Sequence, residues 1–476
     1  MSLSLFLPET LLTVISVILL VIMLLKKETI LKIIYPFMIL AGVALLAGSF
    51  LSVYQSGDLF SSTYRIDRLS QGFKGLLSLA FFITVLLSRD MISIPKSKEV
   101  EYFFFVTTSA LGMMMLTSAV NILTLYVSLE LSSYSLYLLS ALKQDRRSAE
   151  ASVKYLIFGA ATSGVFLWGF SLVAGISGTL SLVEIAQNAV TLAAQPAFVL
   201  GLALVSFAFL FKLSSFPAHF WAPDIYENAA TPAVTFIATA SKAAAVAILI
   251  RVLMTTGITQ PLVITLGVIA FISMTLGNCV ALIQQDVKRL LAYSSIAQAG
   301  YILVGLLSGS ADGYASSFFY AGAYILMNSG AFLVTLMVAN SIHHDSPQLS
   351  HFDGLAERSP FLALVLLLSL LSLAGIPPLV GFTGKWILFS AAMNQGHWFL
   401  VLWGVLNSVV SLFYYLTLVK HAYLEKPKIN SPLLVPLPIK LLGLALFFAL
   451  VFLGIFPNTF ITFAQQAITT AALNPY

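Results

Sequence analysis

Four charged side chains stand inside otherwise apolar sequence. Glu130 lies in Leu125-Tyr126-Val127-Ser128-Leu129-Glu130-Leu131, Lys212 follows Leu210-Phe211, Lys242 lies in Ala240-Ser241-Lys242-Ala243-Ala244, and Lys385 sits in Thr383-Gly384-Lys385-Trp386. A charge alone in hydrocarbon costs several kcal/mol, so each must face protein or water. Desolvation raises a carboxyl pKa and a nearby cation lowers it, which makes such a group a tunable proton carrier. A buried lysine can also load and release a proton, whereas arginine holds its own too tightly. Lysine at all three cationic sites therefore fits proton transfer. The same residues admit plainer roles: Glu130 as half of an ion pair joining two helices, Lys385 snorkelling to an interface. His219 is a further relay candidate because imidazole titrates near neutrality, and a hydrogen-bonding role at an interface suits it too. Glu150 and Lys154, at i,i+4, read either as a helix-start pair or as partners of Glu130. Arg251 reads as snorkelling near the end of its helix.

The elements that hold these groups must be membrane helices. Of 476 residues, 59% are hydrophobic and 9% charged, against about 25% charged in soluble domains. Spans of about 20 apolar residues follow one another through short loops, which predicts an all-α integral membrane protein of about 14 transmembrane helices. The fourth reads as short, turning tightly into the fifth through Thr117 to Asn121. The odd-numbered loops carry the cations: Lys26, Lys27 and Lys32; Arg89, Lys96 and Lys98; Lys143, Arg146 and Arg147; Lys288 and Arg289; Lys426 and Lys428. Of the even loops only the second carries any, at Arg65 and Arg68, with Lys74 entering the next helix. The positive-inside rule then predicts odd loops in the cytoplasm and both termini outside. The run from Leu11 to Leu25 reads as the first span rather than a cleaved signal.

Two spans, about the seventh and the twelfth, interrupt themselves. One reads Phe211-Lys212-Leu213-Ser214-Ser215-Phe216-Pro217, the other Leu373-Ala374-Gly375-Ile376-Pro377-Pro378. Proline removes a backbone donor and clashes with the preceding turn, and free carbonyls at bilayer depth are tolerated only beside protein or a hydrated cavity. Paired broken helices in corresponding positions point to an inverted-repeat transporter.

Other chemistry is excluded. The single cysteine, Cys279, rules out disulfide frameworks and cysteine metal sites and reads as a small apolar filler. His343, His344 and His351 with Asp345 and Asp353 read as a solvated loop rather than a metal site. There is no phosphate-binding glycine loop and no nucleophile–base signature. The net charge of +5 belongs to membrane orientation, and no nucleic-acid partner is expected.

Three motifs carry a family resemblance. FKLSSFPAHFWAPDIYENAATP (Phe211 to Pro232), LAGIPPLVGFTGKW (Leu373 to Trp386) and DVKRLLAYSSIAQAGY (Asp286 to Tyr301), with EASVKY (Glu150 to Tyr155), resemble hallmarks of the antiporter-like subunits of respiratory complex I. The resemblance implies fourteen helices with two inverted five-helix repeats, broken seventh and twelfth members, and a polar axis through the membrane. It assigns helices 1–3 to residues 1–100, the first repeat (helices 4–8) to 101–256, the second (helices 9–13) to 257–424, and the last helix and tail to 425–476, all within one membrane domain. Glu130, Lys212, Lys242 and Lys385 match the charged positions of the fifth, seventh, eighth and twelfth helices.

Within the family, the ending soon after the last span differs from subunit L with its long lateral helix. Lys385 stands where subunit M carries glutamate. The eleventh span has no histidine, only Tyr320, Tyr324 and Asn328, which leaves the second-half relay to hydroxyls and water.

The resemblance further implies a proton-translocating subunit of NADH-quinone oxidoreductase in a bacterial inner membrane, beside M-like and K-like subunits. It binds no cofactor or metal itself; NADH and quinone serve the whole complex, and quinone is not expected to bind this chain. In the implied mechanism a Glu130–Lys212 pair switches between close and separated states, driving a proton through Lys242 to Lys385. The motifs are shared with multi-subunit cation/proton antiporters and with ferredoxin- or hydrogenase-linked relatives, which remain the alternatives. A purely structural scaffold is disfavoured by the cost of four buried ionisable groups.

Overall fold

Helix starts are written into the sequence as side-chain caps. Asp67, Asn121, Asp145, Ser181, Asp286 and Ser310 each accept a backbone N–H from the first turn they precede, satisfying donors that a helix terminus otherwise leaves free. The computed structural model describes residues 3–25, 28–257, 260–427 and 432–473. Lys26, Lys27 and Lys428, and the side chain of Lys32, fall outside the description, so the charge pattern of the first and thirteenth loops is described only in part.

In chain order the helices begin with α1 (Leu7–Leu25) and α2 (Glu28–Ser52), then a hairpin of β1 (Gly57–Leu59) and β2 (Tyr64–Ile66). There follow α3 (Arg68–Leu87), α4 (Glu99–Ser118), α5 (Ile122–Ser140), α6 (Arg146–Ser177), and two short helices, α7 (Leu182–Gln187) and α8 (Ala189–Ala193). Next come α9 (Pro196–Leu213), α10 (Trp221–Asn228), α11 (Thr231–Phe236), α12 (Lys242–Thr256), α13 (Gln260–Ala281) and α14 (Val287–Leu306). The remainder is α15 (Ala311–Ile342), α16 (Leu355–Arg358), α17 (Pro360–Ala374), α18 (Val380–Asn394), α19 (Trp398–Tyr423), α20 (Leu437–Ile455) and α21 (Asn458–Leu473).

Among the described residues, twelve helices are long and apolar enough to cross a membrane. Two further spans expected from the sequence, α14 and the α17–α18 pair, fall short of that measure for physical reasons. Arg289, Gln298 and several hydroxyls dilute α14, and the break divides α17 from α18. The bundle is thus the many-spanning helical protein expected. A π turn, Ile237–Ser241, joins α11 to α12 in one span that is buried from Thr231 to Leu253. With α15 it forms the centre, and α1, α6, α13, α19 and α20 turn apolar faces outward.

Several expectations need correction. The fourth helix is not short: α4 has 20 residues, because its polar first turn is helical as well. The tail holds an additional amphipathic helix, α21, packed on α3 and α15. Lys288, read as a loop cation, and Lys74, read as entering the helix after the second loop, are wholly buried. Cys279 is a helical residue on an exposed face of α13.

Candidate functional site

The two breaks share one construction. α9 ends with Ser214 in the left-handed region (φ 55°), and Ser215 N–H returns to Leu210 O at 3.1 Å. α17 ends with Gly375 at φ 89°, and Ile376 N–H returns to Leu371 O at 3.0 Å. Each is a Schellman closure, which ends a helix by bending its last carbonyls back onto the chain. Each is followed by a cis X–Pro bond, Phe216–Pro217 and Pro377–Pro378. The helix-stop chemistry is thus local, and it interrupts both spans inside the bundle.

Glu130, on α5, is buried and accepts a hydrogen bond from Ser163 of α6. Lys212, in the last turn of α9, donates to Ser132 Oγ on α5 at 2.6 Å. Gly112 lets α4 approach α5 at that point, since a Cβ there would stand 2.5 Å from Ser132 N. Among the described residues Glu130 and Lys212 form no ion pair within 4.0 Å. The pair is therefore in a separated arrangement, each partner resting on a serine.

Lys242 is the first residue of α12 after the π turn, and its ammonium donates to Ser295 O on α14 at 2.7 Å. It also lies 5.6 Å from the centre of the Tyr324 ring. Lys385, on α18, donates to Leu373 O and Ala374 O at 3.0 Å each, the carbonyls freed by the second break. The Tyr301 ring lies 4.5 Å from its ammonium. Gly375 makes room for the lysine: its missing Cβ would fall 3.1 Å from Lys385 Cδ. All three lysines are at most 5% exposed, and no carboxylate lies within 4.0 Å of any of them among the described residues.

A polar line connects Lys242 to Lys385, and its middle member escaped the sequence reading. Gln298 lies one helical turn beyond Ser295 on α14. Its Nε2 donates to Leu373 O at 3.0 Å, the same oxygen that holds Lys385. Its Oε1 accepts from Tyr320 OH at 2.5 Å. Tyr415 OH lies 3.4 Å from Gln298 Nε2 and 2.5 Å from Ser294 Oγ. Tyr226 OH reaches Ser295 Oγ at 3.4 Å, and Tyr324 OH is buried with no hydrogen-bond partner among the described residues. The available signal was the polar run Ser294-Ser295…Gln298 inside an apolar span.

The remaining candidates separate from this line. Glu150 and Lys154 pair with each other at 2.9 Å on an exposed face, and Lys154 also reaches Asp224 at 3.5 Å. His219 is buried within the first break between Phe216 and Phe220, with Nδ1 unpartnered among the described residues. The histidine loop holds no cluster of three metal-ligating side chains among the described residues. Its Asp353 instead pairs with His421, and Asp345 takes the Thr231 hydroxyl and faces Lys288.

Arg251 does not snorkel. It is 4% exposed and makes a two-pronged pair with Asp67, at 3.0 Å for both contacts, because Asp67 caps α3 directly opposite. Nor is Glu130 the only deeply placed carboxylate. Glu9 is wholly buried 2.6 Å from the equally buried Lys74; its place near the start of the first span hid it.

Comparison with known proteins accords with this geometry. Residues 119–411 match the family model described as NADH:quinone oxidoreductase/Mrp antiporter, TM. The chain is 45% identical over 425 residues, 89% of its length and 90% of the relative's, to NADH-quinone oxidoreductase subunit N 2 of Syntrophobacter fumaroxidans. A chain of respiratory complex I from Thermus thermophilus with bound aureothin superposes with a TM-score of 0.83 at 32% identity, over 96% of this chain and 98% of that one. A chain of the Mrp complex from a Dietzia species shares the fold, with a TM-score of 0.85 at 18% identity over 100% and 99%. The broken helices and buried lysines described above fall largely inside the matched region, and the chain belongs to the NADH:quinone oxidoreductase/Mrp antiporter family of transmembrane subunits.

Proposed function

We propose that this chain is the subunit N of a bacterial NADH-quinone oxidoreductase and moves protons through Glu130, Lys212, Lys242 and Lys385. It is a multi-pass membrane subunit of a larger complex, without a redox centre of its own, and electron transfer takes place elsewhere in the assembly. The identity of 36–45% to several bacterial proteins named NADH-quinone oxidoreductase subunit N supports this reading over a cation/proton antiporter, since the chain of the Mrp complex is only 18% identical. Subunits like M and K are its expected neighbours, the inner membrane its site, and the side opposite the basic loops the location of both termini. Residues 101–256 and 257–424 are read as the two inverted repeats.

One observation carries the assignment of the site: three buried ammonium groups with neutral oxygen acceptors and, among the described residues, no carboxylate within 4.0 Å. A structural lysine in hydrocarbon would be matched by an anion, because an uncompensated buried charge is costly. These three instead rest on a hydroxyl and on carbonyls, partners that either protonation state can use. Quinone reduction would drive Glu130 and Lys212 from the separated arrangement toward a close one and back. The proton displaced from Lys212 would reach Lys242 and then, along Ser295, Gln298, Tyr320 and Lys385, the second half. Coupling between charges in such an interior is strong because the local dielectric is low.

The test is a Lys242→Ala complex reconstituted in vesicles. Assembly should be normal and NADH-driven proton translocation should collapse. Full pumping by that assembled variant overturns the relay. Purification of the native complex checks the electron-transfer side: it should carry quinone-reductase subunits, and a complex devoid of them would favour the antiporter reading.

A further inference from the structure

A cavity stands against each helix break, and the two differ in charge. Beside the first break a cavity of about 250 Å³ is lined by residues such as Phe158, Thr162, Pro217 and Trp221, with no charged side chain in its wall among the described residues. Lys212 is not part of that wall and reaches Ser132 instead. Beside the second break a cavity of about 320 Å³ lies between α17, α18 and α19, within the size range of small-molecule sites. Its wall is largely apolar, with Ile376, Phe382, Trp386 and Val409, but it includes Lys385 and Ser408. The mouth is on the apolar outside of the bundle: Trp386, Val405 and Val409 belong to the wall and are 65%, 46% and 54% exposed. The cavity is therefore entered from hydrocarbon.

The charged end of this cavity is built into the break. Gly375 is part of the wall, and its missing Cβ would fall 3.5 Å from Lys385 Nζ, so the space that a side chain would fill lies against the ammonium. Leu373 O and Ala374 O hold that ammonium, but they do not neutralise it. Nor can the surrounding helices: α14, α17, α18 and α19 carry no carboxylate along their lengths. A buried cation without a counter-ion attracts an anion. A ligand that fits needs an apolar body, an acidic head and a way in through the bilayer. A permanent anion meets the cost of charge in hydrocarbon. A carboxylic acid can enter neutral and ionise only beside the cation.

We propose that this cavity binds a long-chain carboxylic acid drawn from the bilayer, its tail against Phe382, Trp386 and Val409 and its carboxylate on Lys385. On entry the acid O–H bond breaks, the proton passes to the amine form of Lys385, and a carboxylate–ammonium pair remains. The consequence rests on the proton-relay reading above. Lys385 must lose its proton before it can accept another, and a carboxylate beside it favours the charged form. An occupied cavity thus arrests the relay at its last lysine.

The test uses the assembled complex in vesicles and a long-chain fatty acid carrying a diazirine in its tail, with its methyl ester alongside. Irradiation followed by peptide mapping should place the acid on α18 and α19 and label far less with the ester. Lys385→Met keeps the apolar wall and should lower labelling by the acid about tenfold or more, as loss of a charge-assisted contact does. Val409→Trp fills the cavity and should lower it as well. With the proton gradient collapsed by an ionophore, the unmodified fatty acid should slow NADH oxidation several-fold more in the native complex than in Val409→Trp. Absence of label on α18 and α19, or equal labelling by acid and ester, overturns the binding site. Equal slowing of both complexes overturns the arrest. Lys242→Ala run alongside separates the two readings: if it pumps normally while labelling still depends on Lys385, the central relay fails and the cavity stands.

Discussion

Replacing Gln298 with leucine probes the link between the two halves with little change in volume. The side chain makes two short hydrogen bonds, 3.0 Å to Leu373 O and 2.5 Å from Tyr320 OH, and lies 3.4 Å from Tyr415 OH. Leucine can replace none of them. The buried Tyr320 hydroxyl then loses its acceptor, at about 1–3 kcal/mol, and Leu373 O is left to Lys385 alone. The functional loss is of the same order: a barrier raised by that amount slows one transfer step about 5- to 150-fold. Lys242 and Lys385 keep their own carbonyls, so neither terminus of the line is removed. The assay is NADH-driven proton translocation by assembled complex in vesicles, with Gln298→Glu beside it. The glutamate can still accept from Tyr320 but, when ionised, cannot donate to Leu373 O, so it should fall between the other two. An assembled Gln298→Leu complex with undiminished rate and proton yield refutes the idea that Gln298 positions the line.

Lys242→Arg retains a positive charge but not a releasable proton, so it should assemble and fail in proton translocation, which vesicle acidification measures. Arg251→Met leaves Asp67 unpaired in a mostly buried site, and should cost about 3–5 kcal/mol in thermal unfolding of the solubilised complex. At Asp67, burial raises the carboxyl pKa, but the Arg251 guanidinium and the Ser70 hydrogen bonds outweigh it, leaving it below the ordinary value. Its stabilising contribution is therefore complete above pH about 4, the unfolded value, and lost as pH falls through the folded one. Asp67→Asn should flatten the acid limb of a melting-temperature profile. Glu150→Gln touches only an exposed pair and should leave both translocation and melting unchanged.

The residues legible in sequence were those whose context contradicts them. Glu130 and Lys242 stand in long apolar runs, and Lys212 and Lys385 flank prolines inside spans, so hydrocarbon cost alone singles them out. Gln298 and Ser295 were not singled out, because serine, glutamine and tyrosine are tolerated in spans and acquire meaning only from what crosses opposite them. Glu9 and Lys74 were hidden differently. Each lies close to a helix start, where a charge reads as exposed, and the hairpin that seals them from water is made of two three-residue strands. Arg251 had the same disguise. Its partner is 184 positions away, a separation no local pattern can bridge.

The two helix breaks look alike in sequence and close alike in backbone, yet they serve their lysines in different ways. At the first break the loosened carbonyls are already occupied: Phe211 O accepts from Trp221 Nε1 at 3.1 Å and Leu210 O from Ser215. Lys212, on the near side, turns away to Ser132 of another helix. At the second break Leu373 O and Ala374 O are the very groups that hold Lys385, which stands on the far side. Movement between α5 and α9 can therefore separate Lys212 from its acceptor, whereas Lys385 is held across its own break and follows changes in that break's geometry. The first lysine is suited to respond to a displaced helix and its glutamate. The last is suited to hold or release a proton as the gap between α17 and α18 alters, which gives the two ends of the line different triggers from one repeated device.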